Sequence, residues 1–428
     1  MSSILIKSAT ISDPGNTRDG QKLDILLHEG TIVKMAPSIT DTADQTIFAD
    51  GYFLGAGFVD CFATCGEPGE EWKEDLRSLS EAASAGGFTS VAALCGTQPV
   101  SDSSAVITSV LEKSKTLSCR IMPLGTATKG KLGKELAEYF DMRNAGAVAV
   151  TDGLQSLNNA GMRSRIMEYA GNSEIPFLDF PFDSSLAIHG TMHDGIVSNG
   201  MGLKGIPTVS ESTAIAECLK LAEWLKTPVR LLGVSSAESV VLIREAKKKG
   251  MEVYAAVPVL NLVMTDANLS EFDENCKVLP PLRTDKDRSE LIRGLEDDTL
   301  DAVYSNHVPQ DTENKTVEFE YAAFGASNIQ VVFGMLLAAK PSDIDAEFIS
   351  KKLASGPRKF LGMEMAKIEV GSSIDLTIFS TVGTWIWDTK TAKGKSKNSP
   401  FYGREIKGNV LGTVCKGKWQ HQNQNENQ

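Results

Sequence analysis

The feature that most constrains this chain is an alternation, sustained over about 300 residues, of short apolar strand-like runs with amphipathic helical patterns. Strands are expected over 57–62, 89–94, 120–125, 147–151, 176–180, 229–234, 252–257 and 301–304. Eight such runs separated by helices imply a (β/α)8 TIM barrel, because parallel strands need long crossovers and close on themselves at this number. The helix beginning after Ser236 has a plausible N-cap in that serine, three residues before Ser239, with Glu238 in its first turn.

Both ends of the chain read differently. Residues 3–54 carry short β-rich segments broken by turn residues, and a second β-rich piece covers 373–379 and 408–418. Each alone is too small for an independent core, so the two are expected to combine into one β-sandwich. The expected division is a sandwich from 1–54 plus 365–419, a barrel from 55–364, and a polar, Gln/Asn-rich, disordered tail from 420–428.

Net charge −12 and the absence of a Lys/Arg-dense stripe argue against a nucleic-acid partner. No run of about 18 apolar residues suggests a membrane span, and the first residues lack a signal-peptide layout, so a cytoplasmic location is expected. Seven scattered cysteines suit reduced thiols. Cys61 and Cys65, the one close pair, lack neighbouring metal-ligand partners and read as structural.

In a barrel of this kind chemistry sits at the C-terminal strand ends, and these ends are poor in ligands. Of five histidines only His307 directly follows an expected strand. His189 and His193 have H-x3-H spacing, but Gly190 and Asp194-Gly195 interrupt any helix there, which favours a structural or surface role. In the first strand, period-two alternation would place Asp60, Phe62 and Thr64 on one side and Cys61, Ala63 and Cys65 on the other.

Several motifs then occur in one order: Gly57-Phe58-Val59-Asp60, Glu67-Pro68-Gly69, Glu74-Asp75, Thr151-Asp152-Gly153, Asp183-Ser184-Ser185-Leu186, Val234-Ser235-Ser236, Lys277 through Arg283, and Lys395 through Gly403. Together they resemble the dihydroorotases of the long bacterial type, in the amidohydrolase superfamily. The resemblance implies a metal-dependent-hydrolase barrel with zinc at the strand ends. It also implies the reversible closure of N-carbamoyl-aspartate to dihydroorotate in pyrimidine synthesis.

Carried over residue by residue, the family's ligand positions fall on Phe62, Thr64, Asp152, Phe180, Gly233 and Asn306, of which only Asp152 offers a competent metal ligand. The family's general base falls on Asn306, whose amide cannot accept the proton. Its substrate-binding positions fall on Gly66, Gly96, Leu279 and Gln310. The sequence therefore reads as a non-catalytic homologue with no expected cofactor. The resemblance suggests aspartate transcarbamoylase as its structural or regulatory partner, and self-association into a homo-oligomer is expected. Two other readings stand beside it: an amidohydrolase with an unconventional site built on Asp152, His307 and Cys65, and a small-molecule sensor using the emptied pocket.

Overall fold

The computed structural model describes residues 3–339 and 345–422. Eight parallel strands form the barrel: Phe58–Cys65, Phe88–Cys95, Arg120–Gly125, Ala149–Val150, Leu178–Asp179, Val229–Leu232, Val253–Pro258 and Ala302–Tyr304. Each lies within or across one of the expected runs. The first four and the last four pair in order as two sheets. A parallel bridge from Val150 to Phe177 joins the sheets, and another from Ala63 to His307 closes the ring.

Helices such as Leu76–Ala85, Val209–Leu225 and Ala237–Lys248 lie between the strands in the chain. The first and third of these helices begin at side chains that satisfy otherwise orphaned N–H groups, whereas Val209–Leu225 has no side-chain cap. Asp75 accepts from the Ser78 N–H, and Ser236 accepts from that of Ser239. Val59, Cys61, Phe62, Leu94, Met122, Leu124, Leu178, Leu232 and Tyr304 belong to one buried apolar cluster inside the ring. Phe360 and Leu361, from the short helix Gly356–Leu361, join this cluster; Arg230, near the start of the sixth strand, donates to the Phe360 carbonyl.

The alternation expected in the first strand does not hold. Its register with the second strand shifts between Asp60 and Ala63, a bulge that lets two successive residues face inward. Cys61 thus joins Phe62 in the interior cluster, while Ala63 and Cys65 pack in the larger core outside it.

Five strands from the start of the chain (Ser3–Ser12, Lys22–His28, Thr31–Ala36, Gln45–Phe48, Phe53–Ala56) and three from its end (Leu376–Ile386, Glu405–Cys415, Lys418–His421) share one sheet. Its seam is the antiparallel pairing of Leu376–Ile386 with Phe53–Ala56, which sets Leu376 opposite Ala56 and Phe379 opposite Phe53. Two expected boundaries shift. Gly55 and Ala56 belong to this sheet, because they pair with Thr377 and Leu376. Gln420 and His421, expected in a disordered tail, pair with Thr413 and Gly412. The rest of that tail, 423–428, lies outside the described residues. Among the described residues no helix is long and apolar enough to cross a membrane.

Candidate functional site

The strand ends hold the sequence-derived positions in a packed, largely apolar setting. Phe62 is fully buried, with its ring edge-on to Tyr304 at 6.4 Å between centroids. It also approaches Gly153, where a Cβ would stand 3.6 Å from Phe62 Cζ and 3.0 Å from Leu94 Cδ2. Thr64 turns its hydroxyl to a backbone group, donating to the His307 carbonyl at 3.2 Å, and its N–H donates to the same oxygen at 2.8 Å.

Asp152, just past the fourth strand, is buried. It accepts from the Thr128 N–H at 2.9 Å and from the Thr128 hydroxyl at 2.6 Å. Burial pushes its carboxyl above the usual range, and the Thr128 bonds oppose that shift.

Phe180 and Gly233 are matched to each other. Gly233 has φ +81°, and a Cβ there would come within 2.8 Å of Phe180 Cε2. A side chain at 233 and the phenyl ring at 180 cannot both occupy this space. Asn306 also sits in the left-handed region, at φ 46°. Its Nδ2 donates to the Leu279 carbonyl at 3.1 Å, while its buried Oδ1 has no hydrogen-bond partner among the described residues.

The substrate positions are similarly closed. A Cβ at Gly66 would stand 2.1 Å from the Glu70 carbonyl oxygen, and one at Gly96 (φ +83°) would stand 2.6 Å from that of Pro99. The loops fold over these glycines so tightly that neither backbone accepts a side chain without moving. Gln310 donates through Nε2 to the Phe324 carbonyl at 3.0 Å, and its N–H donates to Asn398 Oδ1 at 3.1 Å.

Of the residual candidates the structure unites two and separates the third. His307 Nε2 lies 3.5 Å from Glu74 Oε2, and both side chains are almost fully buried. On the other ring nitrogen, Nδ1 accepts from the Ile329 N–H at 3.4 Å. Cys65 Sγ meets the backbone carbonyl of the same Glu74 at 3.7 Å. The neighbouring Cys95 thiol and burial hold the Cys65 thiol well above its ordinary pKa, which suppresses the thiolate. His307 and Cys65 therefore gather around Glu74, whereas the hydrogen bonds of Asp152 go to Thr128.

Asp60 ties the first strand to the eighth. It accepts from the Ser305 N–H at 2.9 Å and from the Ser305 hydroxyl, and burial pushes its carboxyl up to about 6. Among the described residues no group of three or more His, Cys, Asp or Glu side chains is arranged to hold a metal ion.

A second buried polar cluster lies beyond the fifth, sixth and seventh strands, and sequence reasoning missed its centre, Glu211. This carboxylate accepts from the N–H groups of Ser235 (2.9 Å) and Ser236 (3.0 Å), from the Ser235 hydroxyl, and from Arg283 Nη2 at 3.1 Å. Arg283 also donates through Nε to Ser235 Oγ at 2.8 Å and lies 3.3 Å from His193 Nδ1. His193 thus belongs to a structural network, and the exposed His189 is not paired with it. A charge on the buried side of the helix Val209–Leu225 was the available signal.

Comparison with known proteins places these observations. Residues 51–259 match the family model described as Dihydro-orotase-like. The dihydroorotase of Syntrophus aciditrophicus (strain SB) is 35% identical over 419 residues, covering 97% of this chain and 98% of that protein. That of Acetivibrio thermocellus is 34% identical over 417 residues, with the same coverage. Among solved structures, L-hydantoinase (dihydropyrimidinase) from Arthrobacter aurescens shares the fold at TM-score 0.86 and 20% identity, covering 99% of this chain and 97% of that one. A D-hydantoinase does so at TM-score 0.82 and 18% identity, covering 99% and 96%. Sharing the fold of these hydantoinases and about a third of its residues with dihydroorotases along nearly its whole length, this chain belongs to the dihydroorotase family.

Proposed function

We propose that this member of the family is non-catalytic and serves as a structural or regulatory partner of aspartate transcarbamoylase, in the cytoplasm and as a homo-oligomer. The observation that carries this reading is the filling of the strand-end site by Phe62 and Phe180, packed against Gly153 and Gly233. The side chains at the six family ligand positions do not fit zinc. Two are phenyl rings, one is a hydrogen atom, Thr64 spends its hydroxyl proton on a backbone carbonyl, and Asn306 is a neutral amide donating to another. Asp152 alone cannot hold the ion whose work would be to lower the pKa of bound water and polarise an amide.

The loss of the base is independent of the metal. Asn306 offers no proton acceptor of carboxylate strength to an attacking water. The scaffold around it is nevertheless kept: Asp60 links the first and eighth strands, and Glu74 meets His307 between the first loop and the eighth strand. A barrel preserved while its chemistry is dismantled suits a protein whose surface is what other molecules use.

The partner follows from the family resemblance. Mixed with purified aspartate transcarbamoylase of the same organism, the chain is expected to co-elute in size-exclusion chromatography and to alter that enzyme's assembly or activity. Separate elution with unchanged activity would contradict the partnership.

A further inference from the structure

At the seam between the terminal sheet and the barrel lies a cleft of about 370 Å³, lined among others by Ser12, Asn16, Ser350, Ser355, Arg358 and Lys367. Its volume suits a small molecule. Arg358 is unlike the other deeply buried arginines. Arg163 meets Asp179 and Glu217, and Arg283 meets Glu211, as burial of a charge requires.

Arg358 is only 7% exposed, yet among the described residues no carboxylate lies within ion-pair distance of it. Its hydrogen bond to the protein runs from Nη1 to the Ala354 carbonyl at 2.9 Å. Asp375, the acidic group whose charge acts on it, is already engaged by Arg120 at 3.2 Å and by the Lys416 N–H at 2.8 Å. Asp13, also on the cleft wall, gives its carboxylate to Asn16 Nδ2 at 2.7 Å and to the Ile368 N–H at 3.0 Å. Lys367 adds positive charge at the exposed rim, and Glu369 is the acidic group there that opposes it.

A guanidinium presents a planar fork matched to two oxygens of a carboxylate or phosphate. We propose that this cleft is a binding site for a small oxyanion, a carboxylate or a phosphate, which pairs with the Arg358 guanidinium on its wall. The cleft wall comes from both parts of the fold. Ser12 lies on the sheet, Ser350 and Arg358 lie on the barrel side, and the Ser12 and Ser350 hydroxyls already meet at 2.7 Å. A bound anion would therefore strengthen the junction of sheet and barrel, and would do so regardless of the state of the strand-end site.

The test is thermal unfolding and isothermal titration calorimetry of the full chain with potassium phosphate and with sodium malonate, each against potassium chloride at matched ionic strength. Saturable stabilisation by phosphate or malonate above chloride is expected, and whichever anion gives it identifies the class. R358M should weaken that binding by about tenfold or more, the loss expected for a charged hydrogen-bonding pair. R358K should retain part of it. R358M removes a poorly solvated charge and is expected to fold. If it does not, R358K decides, because it keeps the charge and loses the fork, and affinity equal to the unmodified chain would overturn the assignment. So would the absence of any anion response above chloride, or a folded R358M that responds like the unmodified chain.

Discussion

Phe62→Ala is expected to lower the stability of the protein by about 3–5 kcal/mol, the range for truncating a buried aromatic ring in a packed core. Urea unfolding followed by circular dichroism would measure it. The size follows from the position of the ring, fully buried edge-on to Tyr304, next to Gly153 and in one core cluster with Leu94. At a position that the family resemblance assigns to a metal ligand, this chain has placed a piece of hydrophobic core. Phe62→His would not rebuild the site, because Phe180, Gly233 and Asn306 supply no further imidazole or carboxylate. A loss below 1 kcal/mol would mean that the ring does not carry the packing assigned to it.

Glu211→Ala should destabilise by a similar amount, about 3–5 kcal/mol, because it leaves the buried Arg283 guanidinium without its counter-charge. It also removes the acceptor for the N–H groups of Ser235 and Ser236. Adding Arg283→Met to Glu211→Ala should recover part of the loss, since the second change removes the stranded charge. Chemical denaturation of the four members of this double-mutant cycle gives the coupling directly. Additive effects would show that the two side chains act independently.

The barrel was legible because parallel strands covered on both faces leave continuous apolar runs, and helices between them leave amphipathic ones. The expected run over 120–125 coincides with Arg120–Gly125. The runs over 147–151 and 176–180 shrink to the two-residue strands Ala149–Val150 and Leu178–Asp179, because hydrogen bonding and not hydrophobicity sets strand ends. Alternation failed in the first strand, where a bulge that no local residue signals turns Cys61 inward beside Phe62.

At the positions that the family resemblance assigns to ligands, the sequence has Phe62, Phe180 and Gly233, whose side chains cannot coordinate a metal in any conformation. What fills the space was not legible. The fit of the Phe180 ring over Gly233 joins residues more than fifty positions apart, and the closure of the loops over Gly66 and Gly96 depends on carbonyl positions that no motif encodes. His307 stood out as a residual candidate through its place after the eighth strand. Its imidazole meets Glu74, a partner that lies far away in the chain and that no motif signalled.

The central claim, a family barrel without the family's chemistry, is tested most directly by metal analysis and a dihydroorotase assay on one preparation of the purified chain. The account predicts zinc far below stoichiometric amounts and no conversion of N-carbamoyl-aspartate or dihydroorotate above the buffer rate. Stoichiometric zinc together with turnover that is lost on Asp152→Ala would contradict it.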